Sequence, residues 1–81
     1  MFSDMQNNIP NELKVQIDLS FAIADKIASV LKEKGMTNKD FAKLVGKTEA
    51  EVSRWLGGTH NFTLKTIARI SAALDCEIIN V

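Results

Sequence analysis

The chain has 81 residues, 46% of them hydrophobic and 25% charged, with ten cationic side chains balancing ten acidic ones. That mix implies one small globular domain, since single cores typically take about 50–200 residues, and excludes a disordered or fibrous chain. The apolar runs fall far short of the roughly 20 residues of a membrane-spanning helix, and no basic flank leads into an apolar stretch, so a cytoplasmic protein without a secretory leader is expected.

The first nine residues, MFSDMQNNI, are polar and aperiodic and read as a flexible N-terminal segment. Pro10 can open a helix, where its missing N–H costs nothing. From Leu13 the pattern has two readings. Leu13, Val15, Ile17 and Leu19 alternate with polar residues, which is strand spacing. Leu13, Ile17, Ala24, Ile27 and Leu31 also share one helical stripe. Residues 20–34 are helical, with Phe21, Ala24, Ile27, Ala28 and Leu31 on one side. The helix extends back to about Pro10, or gives way to a short strand at 13–17. Gly35 ends it.

Thr37 is the next N-cap, with Asp40 three residues on in the place of a capping-box glutamate. The helix 38–45 buries Phe41, Ala42 and either Leu44 or Val45, and exposes Lys39 and Lys43. Gly46 closes it. Thr48 then caps a short helix, 49–56, with Glu51 completing a T-x-x-E box. Val52 and Trp55 stand one turn apart there, the spacing of packed residues. Gly57-Gly58 and the polar loop Thr59-His60-Asn61-Phe62 follow. Thr63 caps a fourth helix, 64–74, whose buried stripe is Leu64, Ile67, Ala68, Ile70 or Ser71, and Leu74. Asp75 ends it, and the β-branched tail 76–81 reads as a short strand. The expected fold is all-α, a compact bundle of four to five helices over residues 10–75, between the flexible segment 1–9 and the strand 76–81.

Catalysis finds no footing in this chain. The single cysteine, Cys76, and single histidine, His60, make neither a disulfide nor a cysteine-rich zinc site. No acid–base or nucleophile–base pair is suggested by spacing, and Gly57-Gly58 lacks the length and lysine of a phosphate-binding loop. No enzyme, metal or cofactor is expected. The charge is instead informative in its distribution. Residues 1–31 carry a balance of −2, residues 32–69 one of +4 and residues 70–81 one of −2. A basic middle between acidic ends suits a polyanionic partner, or a solvated lysine-rich face.

The informative unit is 37–56: a helix, a tight turn containing Gly46, and a second short helix. That is the helix-turn-helix arrangement, in which the second helix enters the DNA major groove. Ala42 is small where the helices cross, Gly46 suits a left-handed turn residue, and Val52 is apolar between the helices.

The stretch MTNKDFAKLVGKTEAEVSRWLGGTHNFTLKTIARISAALDCEI resembles the phage repressor and Cro-like (Xre-type) helix-turn-helix family, especially its small antitoxin-type regulators. The likeness rests on T-x-x-D-F-A, then G, then T-x-x-x-V-S-R-W-L-x-G, then N-x-T-L-x-T and R-I-x-x-A-L, and covers about residues 20–76. It implies a sequence-specific DNA-binding regulator, a repressor in the simplest case. By the resemblance, Thr37, Asn38 and Lys39 grip phosphate, although relatives often carry the longer glutamine where this chain has Asn38. Thr48, Glu49, Ala50, Ser53 and Arg54 face bases. Arg54 can donate twice to the O6 and N7 of guanine, and Ala50 can meet a thymine methyl. Glu49 departs from the usual neutral residue; it either accepts from cytosine or serves the helix dipole. Thr59, His60 and Asn61 fall near the DNA backbone, and Lys43, Lys47 and Lys65 are further phosphate candidates. The tail suggests a homodimer through pairing with a second copy's tail. A cognate toxin is a further expected partner, docking on the acidic N-terminal third. The competing reading is a protein-interaction module that keeps the fold with little DNA binding, favoured by the zero net charge and by Glu49 and Glu51.

Overall fold

Four helices make up the chain in a computed structural model that describes residues 8–58 and 60–79: α1 (Asn8–Lys34), α2 (Asn38–Val45), α3 (Glu49–Leu56) and α4 (Leu64–Leu74). The ambiguous start resolves as helix. α1 runs unbroken through 13–17, with Pro10 in its first turn, where no intrahelical N–H bond is needed. At a rise of 1.5 Å per residue it is about 40 Å long. Its C-terminal half lies against α3, and its N-terminal half overhangs the bundle. Leu13 and Ile17 continue the stripe of Ala24, Ile27 and Leu31, yet they are 56% and 37% exposed because no other element reaches them. The stretch 1–9 assigned to a flexible segment is described only from Asn8, which already belongs to α1.

The core gathers Ile27, Val30 and Leu31 from α1, Phe41, Ala42 and Val45 from α2, Val52 and Trp55 from α3, and Ile70 and Leu74 from α4. Phe41 and Trp55 meet edge to face with centroids 6.1 Å apart. Val45, not Leu44, is the buried member of its pair. Among the described residues, no buried side-chain nitrogen or oxygen lacks a hydrogen-bond partner.

Each short helix is defined by its ends. Thr37, Thr48 and Thr63 cap α2, α3 and α4, each hydroxyl accepting from the backbone N–H three residues on. Gly46 closes α2 in the left-handed conformation, φ 72°, and Lys47 N–H returns to Ala42 O at 2.9 Å. That reversal leaves residues 46–48 as the whole connection between α2 and α3.

Three expectations are corrected. On α4 the inward stripe is Ile67, Ile70 and Leu74, while Leu64 is 82% exposed and Ala68 also faces out. One-turn spacing admits two neighbouring stripes, and the helix takes the one that joins the core cluster. On α1, Ala28 is exposed, and Phe21 lies over Gly58 instead of in the core; a Cβ on Gly58 would run into the Phe21 ring. The tail is not a strand over its described residues, 76–79. Cys76 N–H bonds back to Ser71 O at 3.1 Å, which turns the chain, and Ile78 is then buried in the core. A β-branched residue that gains full burial outweighs the extended preference of its neighbours. Asn80 and Val81 lie outside the described residues.

That turn is made by Asp75 at φ 51°, the one non-glycine residue with positive φ among the described residues. A side chain there is strained, so Asp75→Gly is expected to stabilise the domain by about 0.5 kcal/mol, a gain of a few degrees in thermal denaturation. A lower melting temperature would show that the Asp75 side chain stabilises the turn.

Candidate nucleic-acid interface

The surface that could meet DNA is built from α2, α3 and their three-residue turn. α3 is anchored from beneath: Val52 is wholly buried and Trp55 nearly so. The same helical period that turns 52 and 55 inward turns Glu49, Ala50, Ser53 and Arg54 outward, and all four are exposed. At eight residues α3 is about 12 Å long, close to the width of the major groove. The sequence-based reading face is thus brought together on one side of one helix.

The capping boxes decide which polar groups remain free. In α3, Glu51 N–H donates to Thr48 Oγ1 at 3.1 Å, and Thr48 N–H donates to Glu51 Oε1 at 3.2 Å. The Thr48 hydroxyl proton also goes to Glu51 Oε1, at 3.1 Å. Glu51 is therefore a capping group. Thr48 lies at the expected place, with its side chain already engaged. In α2, Thr37 and Asp40 exchange the same two bonds, both at 3.1 Å. Each box satisfies two of the first-turn N–H groups. Those of Asn38 and Lys39 in α2, and of Glu49 and Ala50 in α3, remain for an anion or a solvent molecule.

These bonds set the charge of the two carboxyls. The backbone N–H and then the hydroxyl of Thr37 hold Asp40 below its ordinary value of 3.8, assisted by Lys43 and Lys39. Thr48 does the same for Glu51, below 4.5, with Lys47 and Arg54 adding to it. A carboxylate whose folded pKa is depressed stabilises the fold above its unfolded pKa, and that contribution is lost as pH falls through the folded pKa. The domain is therefore expected to lose stability as pH drops below about 4.5. Asp40→Asn with Glu51→Gln should flatten that acid limb in thermal melts between neutral pH and pH ~3. An unchanged acid limb would assign it to other carboxyls.

The remaining candidates divide. Asn38, Lys39 and Lys43 are exposed on α2, at and after the capped N-terminus. Lys47 is exposed in the turn and Lys65 in the first turn of α4. His60, expected beside the DNA backbone or in solvent, is half-buried; its ring stands edge-on to Phe62 at 4.9 Å and 6.3 Å from Trp55. It extends the aromatic core outward. Asn61 lines a groove of about 390 Å³ between α1 and α4, with Leu19, Ile23, Phe62, Ile67 and Ile79. Thr59 lies outside the described residues. Arg69 was not foreseen: it lines a second hollow with Lys47, Lys65 and Thr66. The one-turn spacing of Lys65 and Arg69 was visible in the sequence, but the approach of Lys47 was not. Among the described residues no group of His, Cys, Asp and Glu is assembled for a metal, and no helix is long and apolar enough to cross a membrane.

Two helices at a tight turn, the second packed by Val52 and Trp55 and presenting Ala50, Ser53 and Arg54, define a helix-turn-helix module of the DNA-binding class. Residues 26–79 match the family model of the Cro/C1-type helix-turn-helix DNA-binding domain, and the chain belongs to that family. The match runs from within α1 through the buried Ile78, so it takes in the whole core described above. No curated protein and no solved structure matches the chain.

Proposed function

We propose that this protein is a sequence-specific transcriptional regulator that represses by occlusion. α2 rests on the phosphate backbone through Asn38, Lys39 and Lys43. α3 lies in the major groove, where Arg54 reads guanine, Ala50 meets a thymine methyl and Ser53 bonds to a base edge or phosphate. Bound there, the protein blocks polymerase. The observation that carries this reading is the exposed face 49, 50, 53 and 54 on a helix fixed from below by Val52 and Trp55. The engagement of Glu51 in its capping box removes one of the two acids that favoured an interaction module. Glu49, exposed at the start of α3, serves the helix dipole and stays clear of the bases. The site of action is the chromosome, in the cytoplasm.

A single module makes few base contacts, so selective binding calls for two copies on half-sites about 34 Å apart. The homodimer of this reading is supported by the exposed Leu13 and Ile17 on the overhanging half of α1; tail pairing has lost its support over residues 76–79. A toxin would be the second protein partner, supported by the acidic balance of residues 1–31 and by the same overhang.

The test is a titration of the region upstream of the protein's own gene, with a scrambled duplex as control, at several salt concentrations. The expected result is selective binding whose logarithmic affinity falls linearly with the logarithm of salt, at about 0.9 per phosphate contacted. Sedimentation of the same sample reads the copy number. Equal, weak binding to both duplexes would favour the interaction module, and co-purification with the product of the neighbouring gene would identify its partner.

A further inference from the structure

The groove between α1 and α4 takes no part in the DNA reading, since no residue of α2 or α3 lines it. Its volume of about 390 Å³ falls within the range of small-molecule sites, about 300–1,000 Å³. Leu19 and Ile23 of α1, Phe62 of the loop, Ile67 of α4 and Ile79 of the tail make its walls apolar. Leu19, Ile23 and Ile79 also border a second hollow of about 200 Å³, so the apolar surface continues beyond the groove.

The polar groups on the α1 side stand in a row. Glu12, Gln16 and Ser20 follow at four-residue spacing, which sets them along one edge of the helix. Ser20 is the single buried polar residue among the described ones, 5% exposed. Its hydroxyl bonds to no other described residue and is not wholly enclosed, so its open side belongs to the groove it lines. Glu12 is exposed at the other end, about 12 Å away along α1, the reach of a chain of about ten bonds. No lysine, arginine or histidine is among the described residues that line the groove. Its charge is that of one carboxylate, which attracts a cation and repels an anion. An apolar body suits the walls, an ammonium suits Glu12, and an oxygen on the body suits the Ser20 hydroxyl.

We propose that this groove binds a small amphipathic amine, its apolar body on Leu19, Ile23 and Phe62, its ammonium at Glu12 and a hydrogen-bonding oxygen at Ser20. The site stands whether or not α3 binds DNA. Phe62 lies 6.4 Å from Trp55, the anchor of α3, so an occupant of the groove is one ring from the reading helix.

The experiment titrates the full chain with decylammonium, ω-hydroxydecylammonium and decanoate, all below the concentrations at which they form micelles. Calorimetry gives stoichiometry, and fluorescence reads Trp55, the one tryptophan. Decylammonium is expected to bind saturably, one per chain, and more tightly than decanoate. Each methylene removed from it should weaken binding about fourfold. Glu12→Gln should weaken decylammonium by up to about fivefold and narrow its lead over decanoate. Ser20→Ala should weaken the hydroxylated probe about 2- to 13-fold and leave decylammonium unchanged. Leu19→Gln should weaken every probe, and Leu13→Gln, outside the groove, none. Thermal melts check that each variant is folded. Uptake without saturation, decanoate binding as tight as decylammonium, or an equal loss in the Leu13 and Leu19 variants would overturn the proposal. Absence of binding would also overturn it, and a dimer in sedimentation that Leu19→Gln dissociates would then give the groove to a second copy.

Discussion

Phe41→Ala is expected to leave the domain only marginally folded at room temperature. Phe41 is wholly buried and packs its ring against Trp55 at 6.1 Å, at the junction of α2 and α3. Truncating such a residue costs about 3–5 kcal/mol, through lost transfer energy and the cavity left behind. A domain of this size has about 4–12 kcal/mol in all, at roughly 0.05–0.15 kcal/mol per residue. The substitution therefore removes a large share of the stability, equivalent to a fall of about 15–30 °C in melting temperature. The loss also reaches function, because α3 is held at its angle by Trp55, whose ring neighbours are Phe41, His60 and Phe62. Calorimetry or circular dichroism reads the effect. A fall under about 5 °C would mean that Phe41 is not the keystone its burial implies.

Arg54→Ala should do the opposite: spare the fold and remove the selectivity. Arg54 is exposed on α3, and among the described residues it forms no salt bridge. Its removal is therefore expected to change stability by less than about 0.5 kcal/mol. A bidentate contact to guanine is worth about 1–3 kcal/mol of discrimination, so affinity for the selected duplex should fall roughly 5- to 150-fold. Affinity for the scrambled duplex should fall much less. Arg54→Lys should not restore the loss, since a lysine lacks the planar fork. An equal fall on both duplexes would make Arg54 a phosphate contact. No fall on either would remove it from the interface.

The helix-turn-helix was legible in the sequence because its signals are local. Thr37 with Asp40 and Thr48 with Glu51 are start signals, Gly46 is a stop signal, and α2, α3 and α4 occupy the expected residues. The outward residues of α3 followed from the inward positions of Val52 and Trp55, since a helix that buries one face must show the other. The aromatic loop was less legible. His60 reads as a solvent or phosphate contact in a polar stretch, and only the placement of Trp55 and Phe62 draws it inward.

By itself the sequence determined where α2, α3 and α4 begin and end, which face of α3 is free, and the family to which the chain belongs. Caps, glycines and apolar period act over three to seven residues, within reach of a one-dimensional reading. The tertiary structure alone decided what depends on residues distant along the chain. It turned the tail inward at Ile78, left Leu64 and Ile17 exposed, and laid Phe21 over Gly58. It also brought Lys47 to Lys65 and Arg69. Burial and charge depend on which elements pack together, and a stripe along one helix does not specify what will cover it.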